Sequence, residues 1–211
     1  MIILIGAEKG GCGKSTIAVN LAASLSHLGN DVCLVDSDKQ LTTSDWIEYR
    51  EEQKGVSEVH GIAKLGNITK TLKDLSQRYQ FVIVDVAGRD SKELRYGMLA
   101  ADILISPLRP SQPDVNTIPK LADIFEEAKI LNPNLCGYLV MNLCPTNPVI
   151  KEADEAAGYL STVEGLKLAT TRIHDRKAFR DSFADGLGVI EWKDTKAKQE
   201  ILDLIDEIKK W

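Results

Sequence analysis

At 211 residues, with 44% hydrophobic and 27% charged positions, the chain has the balance of one soluble globular domain and is too apolar for a disordered segment. A net charge of −5 excludes a globally basic nucleic-acid binder, so any attraction for phosphate must be local. No apolar run approaches the ~20 residues of a membrane helix, and the apolar start is too short for a secretory leader.

The first element is the apolar run Ile2-Ile3-Leu4-Ile5, which predicts a buried strand. It leads into Lys9-Gly10-Gly11-Cys12-Gly13-Lys14-Ser15-Thr16. An ordinary phosphate loop carries glycine six residues before its lysine, where this chain has Glu8; Lys9 and the pair Gly10-Gly11 stand in the loop instead. Strand, glycine loop and helix start together cradle phosphate, because the backbone N–H groups of residues 10–16 can turn toward one anion. Lys14 then reaches the β- and γ-phosphates, and the Ser15 hydroxyl is the expected Mg²⁺ ligand. Ile17, Leu21, Leu25 and Leu28 mark one face of a helix that Gly29-Asn30 ends. A second buried strand, Val32-Cys33-Leu34-Val35, runs into Asp36-Ser37-Asp38 beside the phosphate loop. Both aspartates also suit a turn that caps the next helix.

Short helices are predicted over residues 45–53 and 69–79, the latter with Leu72 and Leu75 facing inward. Phe81-Val82-Ile83-Val84 then ends in Asp85, followed by Val86-Ala87-Gly88. Four apolar residues and an acid read as a Walker B strand, its carboxylate holding Mg²⁺ directly or through water. Further helices are expected over 92–101, 114–131 (with Pro119 at a first turn or a kink), 150–160, 175–184 and 195–210. Strands are expected over 102–106, 135–143, 166–173 and 189–190. This alternation predicts an α/β fold with a doubly wound, mainly parallel sheet, helices on both faces and one domain over 1–211. The cysteines Cys12, Cys33, Cys136 and Cys144 form no C-x-x-C pair and read as reduced thiols of a cytosolic protein.

The run from Lys9 to Ser15 resembles the deviant Walker A motif, K-G-G-x-G-K-[ST], of the ParA/MinD superfamily of P-loop ATPases. Asp36-Ser37-Asp38-Lys39-Gln40 resembles that family's D-x-D-P-Q segment, with Lys39 in the place of proline. Asp85-Val86-Ala87-Gly88 resembles its D-x-[PA]-G. Ala101 to Pro107, Pro110-Ser111-Gln112-Pro113-Asp114, Arg176 to Phe179 and Gly188 to Glu191 extend the likeness over nearly the whole chain. In length the chain is similar to the short, ParF-type partition ATPases.

The resemblance implies ATP and ADP as ligands, with Mg²⁺ held by Ser15, Asp36 and Asp85. It implies Lys9, Lys14 and Asp38 as the catalytic group, Asp38 positioning the attacking water and Lys9 reaching a partner's nucleotide across a sandwich dimer. Gly10, Gly11, Cys12, Gly13, Lys14, Ser15 and Thr16 would bind the phosphates and Asn142 the adenine. It implies further an ATP-dependent homodimer on nonspecific DNA, and a centromere-binding adaptor that stimulates hydrolysis. The protein would be cytoplasmic and nucleoid-associated. An adaptor arginine would complete the site; Arg89 of this chain, just after the Walker B loop, is a candidate contributor for which a loop-surface role is the better reading. Arg172, Arg176, Lys177 and Arg180 are the candidate DNA contacts; a solvated helix face explains them equally well. In the last helix Ile201, Leu204, Ile205, Ile208 and Trp211 form an apolar stripe opposite mixed charge, which favours packing on the sheet over a membrane surface. A membrane-positioning ATPase and a metabolic relative, an amidoligase or a reductase, are the rival readings.

Overall fold

The computed structural model describes residues 1–147 and 149–211. One sheet holds β1 (Ile2–Ile5), β2 (Val32–Ser37), β3 (His60–Ala63), β4 (Phe81–Val86), β5 (Ile103–Leu108), β6 (Cys136–Met141) and β7 (Lys167–Leu168). The order is β3-β2-β4-β1-β5-β6-β7 and every pairing is parallel, so the expected doubly wound α/β fold is what forms. Strands buried on both faces must be apolar on both faces. In β1, Ile3 and Ile5 pack under α1 (Lys14–His27), α2 (Thr42–Glu51), α8 (Lys177–Ala184) and α9 (Thr195–Ile208). Ile2 and Leu4 pack under α3 (Thr69–Ser76), α4 (Lys92–Met98), α6 (Ile118–Leu131) and α7 (Glu152–Leu160).

Parallel register sets the site. Asp36 of β2 pairs with Asp85 of β4, and Asp85 with Ile5 of β1. In-register residues of neighbouring strands point to the same face, so both carboxylates project toward α1. Strand β1 has β4 on one side and β5 on the other while the chain winds outward in both directions; the crevice at that switch point lies at the carboxyl ends of the strands.

The structure corrects several element boundaries. Residues 189–190 form a 3₁₀ turn (Val189–Glu191) instead of a strand, because the Val189 N–H donates to Asn20 Oδ1 on α1 (2.7 Å) and leaves no edge to pair. The expected strand over 166–173 shrinks to Lys167–Leu168. Ala169 N–H still reaches Leu139 and Ile173 N–H reaches Met141, so four residues span what two span on β6. The bulged Thr170 and Thr171 N–H groups turn to Glu207 on α9. The single helix over 114–131 is two, α5 (Gln112–Val115) and α6, because Pro119 has no N–H for the Val115 carbonyl and begins a new helix instead. Strand β3, which has no apolar run, was not expected.

The apolar stripe of α9 is spent inside: Ala197, Ile201, Leu204, Ile205 and Ile208 are buried, and Trp211 stacks on Tyr138 at 3.5 Å between centroids. Among the described residues no helix is long and apolar enough to cross a membrane. The four cysteines are free, and burial pushes the thiols of Cys33 and Cys144 up to about 11.

Candidate nucleotide-binding site

The loop between β1 and α1 lines an open cleft with Gly10, Gly11, Gly13, Lys14, Ser15 and Thr16 on one side. Asp38 and Gln40 come from the loop after β2, Thr42 from the start of α2, and Ala87, Gly88 and Arg89 from the loop after β4. Gly11 (φ 74°) and Gly13 (φ 87°) lie in the left-handed region, which turns successive N–H groups inward. Gly13 is also the N-cap of α1, and no acidic side chain occupies that helix's first turn, so its positive end faces the cleft unneutralised. Lys14 is buried beneath it. Gly88 presses on the loop from the Walker B side, where a Cβ would come within 3.2 Å of the Lys9 and Gly10 backbones.

Asp85 is almost fully buried, and neither of its carboxylate oxygens completes a hydrogen bond among the described residues. Burial pushes its carboxyl up to about 7, against the opposing pull of the Ser15 hydroxyl and the Lys14 ammonium. An orphaned carboxylate in that position fits a divalent cation. No cluster of three His, Cys, Asp or Glu side chains stands ready among the described residues, so the ion would complete its shell from phosphate and water, as Mg²⁺ does.

Asp36 meets both of its sequence readings. It sits beside Asp85, yet Oδ2 accepts from Thr43 N–H (3.0 Å), Ser44 N–H (2.8 Å) and Ser44 Oγ (3.0 Å), and Oδ1 accepts from Asp38 N–H (3.0 Å). Those bonds cap α2, whose own N-cap, Leu41 (φ 54°), offers no oxygen. Its expected place as a metal ligand narrows to whatever Oδ1 has left. Asp38 stands half-exposed on the cleft rim with Oδ1 accepting from Gln40 N–H.

Asn142, of which an adenine contact was expected, is not among the residues lining this part of the cleft. It is buried under the loop, where its amide nitrogen donates to the Cys12 carbonyl (2.7 Å). Cys12 is buried too, its thiol directed at the Lys9 carbonyl (3.3 Å) and raised by desolvation. The basic stripe is not free either. Arg172 pairs with Asp154, Arg176 with Glu200, Lys177 with Asp181 and Arg180 with Asp175, so each candidate DNA contact already has a carboxylate of its own chain. Arg89 reaches the cleft wall on a left-handed backbone (φ 80°).

Lys9 meets Asp114 on α5, and the same segment touches the loop twice more. The Arg109 guanidinium donates to the Gly11 carbonyl, and Lys120 pairs with Glu8 (2.7 Å). Asp114 and Arg109 had no assigned role in the sequence. The signals were that both follow β5, the strand next to β1, and that Asp114 closes the family-like run Pro110 to Asp114.

A family model described as the CobQ/CobB/MinD/ParA nucleotide binding domain matches residues 3–189. The chain belongs to the ParA/MinD family of nucleotide-binding ATPases. It is 26% identical over 205 residues to the maintenance of carboxysome distribution protein A of Halothiobacillus neapolitanus, covering 95% of this chain and 92% of that one. It is also 26% identical to the protein ParA of Rhizobium radiobacter, covering 88% and 83%. The solved structure of apo McdA from Cyanothece superposes with a TM-score of 0.82 at 17% identity, covering 98% of each chain.

The glycines of this ATPase loop are not equivalent. A Cβ at Gly13 would meet Asn142 Nδ2 at 2.3 Å on a left-handed backbone, whereas Gly10 has open space and an ordinary φ. Gly13→Ala is expected to cost about 2 kcal/mol or more in the nucleotide-free protein, and Gly10→Ala within about 0.5 kcal/mol of nothing. Denaturant titration of both variants checks this; equal losses would refute it.

Proposed function

We propose that the chain is a Mg²⁺-ATP-dependent partition or positioning ATPase. ATP closes two copies face to face, the closed dimer binds DNA without sequence preference, and adaptor-stimulated hydrolysis releases it. The observation that carries the reading is a second lysine, Lys9, half-exposed at the mouth of a phosphate loop whose Lys14 is buried. Lys14 neutralises phosphate from within the chain, so Lys9, paired with Asp114 yet half-exposed, is the lysine that charge brought by another copy would reach. Ser15 and Asp85 would hold Mg²⁺, with Asp36 acting through water, and the ion would neutralise charge on the phosphates. Asp38 would position the water that attacks the terminal phosphate.

Nonspecific DNA affinity in this reading cannot come from net charge, and the paired cations Arg172, Arg176, Lys177 and Arg180 weaken the patch first expected to supply it. Doubling a modest patch by dimerisation would give binding that collapses steeply with salt. The buried stripe of α9 supports DNA over a membrane as the surface sought. The cargo is a DNA element or, as the likeness to carboxysome distribution proteins suggests, a large protein body.

The test is light scattering and DNA retention of the purified chain with Mg²⁺ and ATPγS, ADP or no nucleotide. The expected result is a dimer that retains random-sequence duplex with ATPγS alone. A monomer under all three conditions, with ATPγS shown to be bound, would overturn the reading.

A further inference from the structure

We propose that the free edge of β3 is a docking site for an extended, basic segment of a partner protein. The segment lengthens the sheet by one strand and seats an apolar side chain between β3 and α2. At the end of β3 the Lys64 N–H donates to the Asp36 carbonyl on β2 (2.9 Å). Peptide groups along a strand alternate in direction, so the N–H and C=O of Gly61 and Ala63 face outward, where no strand of this sheet receives them. Both residues are exposed.

The same two residues leave a cavity. Gly61 is in register with Leu34 and Ala63 with Asp36, so both turn their small faces toward α2, and about 230 Å³ stays open beneath Thr43, Ile47 and Glu48. The walls are mainly apolar, and the space suits one leucine- or methionine-sized side chain of an added strand. Thr43 is fully buried against it, and the Thr43 hydroxyl completes no hydrogen bond among the described residues.

Charge decides between occupants. Asp45, Glu48 and Glu52 are spaced three and four apart on one exposed face of α2 and its C-cap, and Glu48 lines the cavity. Among the described residues none of the three has a cationic partner. A phosphate polymer is repelled from such an edge, and a second copy would set one acidic stripe against another. A basic chain with an apolar residue at every second position meets the edge, the cavity and the stripe together.

Docking there bears on the nucleotide cleft. Thr43 and Ser44 donate their N–H groups to Asp36 Oδ2, and Asp36 Oδ1 accepts from the Asp38 N–H. A side chain wedged beneath Thr43 therefore braces the residues that hold Asp38. This coupling rests on the ATPase reading above; the docking does not.

The test uses the full chain and a labelled synthetic peptide of about eight residues that alternates lysine with leucine. Fluorescence anisotropy is expected to show binding at least about tenfold tighter than for the same peptide with glutamate in place of lysine. Hydrogen exchange at the Gly61 and Ala63 amides should slow by about tenfold when the peptide binds. Ala63→Leu fills the cavity and Glu48→Lys reverses the charge beside it, and each should weaken the peptide by at least about fivefold. Glu48 is exposed, so its variant keeps the test decisive if Ala63→Leu does not fold. Saturating peptide should change ATP turnover by at least about twofold. Equal binding of the two peptides, or binding without protection of Gly61 and Ala63, overturns the docking. A nucleotide-independent dimer that Ala63→Leu disrupts assigns the edge to a second copy and overturns it as well. Docking with unchanged turnover overturns the coupling alone, and a chain that never hydrolyses ATP overturns the ATPase reading while anisotropy still decides the docking.

Discussion

Asp85→Asn is expected to make the nucleotide-free protein more stable at pH 8 and to abolish its response to Mg²⁺. A carboxyl raised from 3.8 to about 7 is ionised in the unfolded chain above pH 4 but resists ionisation in the folded one. The folded state thus carries a penalty that is full above pH 7, fades as the pH falls through 7 toward 4, and is gone below the unfolded value. A shift of about three units corresponds to about 4 kcal/mol at pH 8, of which a buried, unpartnered amide would give back about half. The net gain of about 2 kcal/mol should raise the melting temperature by about 5 °C. At pH 5 the difference from wild type should nearly vanish, and at pH 4 the variant should be the less stable by about 1 kcal/mol, because the burial cost of the amide remains after the penalty on the carboxyl has gone.

The second half of that expectation uses the same buried carboxylate. Mg²⁺ held at Asp85, as proposed, would relieve the penalty in the wild type, so Mg²⁺-ADP at about a hundred times its Kd should add about 2.7 kcal/mol there. In Asp85→Asn, ADP with Mg²⁺ should melt like ADP without it. Melting scans at pH 5 and pH 8, with and without Mg²⁺-ADP, therefore give curves that cross. A variant destabilised equally at both pH values would sink the assignment of Asp85 as the destabilised metal ligand.

The difference between what could and could not be read from the chain follows from the range of the contacts. Ile2–Ile5, Val32–Ser37 and Phe81–Val86 are apolar runs ending at the crevice, so the sequence marks both the strands and the places where Lys14, Asp38 and Asp85 must stand. His60–Ala63 is an edge strand, mostly exposed and without alternation, and no periodicity betrays it. Asp36 was readable as either metal ligand or cap because it is local to both tasks. The partners of Lys9 and Asn142 were not readable: they lie 105 and 130 positions away and meet only because β5 is laid beside β1 and β6 beside β5. The pairing of the basic stripe was unreadable for a similar reason. Counting Arg172, Arg176 and Arg180 along the chain ignores the carboxylates of Asp154 and Glu200 that the fold brings to them, and the adjacent Asp175.

Arg50→Ala is expected to be the most damaging single change outside the cleft, at about 3–5 kcal/mol, because it strands a charge in the interior. Arg50 is 4% exposed, and its guanidinium pairs with Glu191 through two bonds of 2.9 and 2.7 Å. It also donates to the carbonyls of Ser57 and Gly186, and it lies over the Trp46 ring at 5.1 Å. These contacts bind α2 to the turn that Asn20 anchors on α1. Since Asp36 caps that same α2, the rim bearing Asp38 is positioned partly from the far end of the helix. Loss of the pair should therefore loosen Asp38 as well, and weaken hydrolysis more than it weakens ADP binding through the phosphate loop. The double variant Arg50→Met, Glu191→Leu separates charge from packing: with no stranded ion it should recover at least about half of the lost stability. Urea titrations of the two variants decide the matter. If Arg50→Ala costs under about 1 kcal/mol, the guanidinium is not the tie between α2 and the rest of the fold.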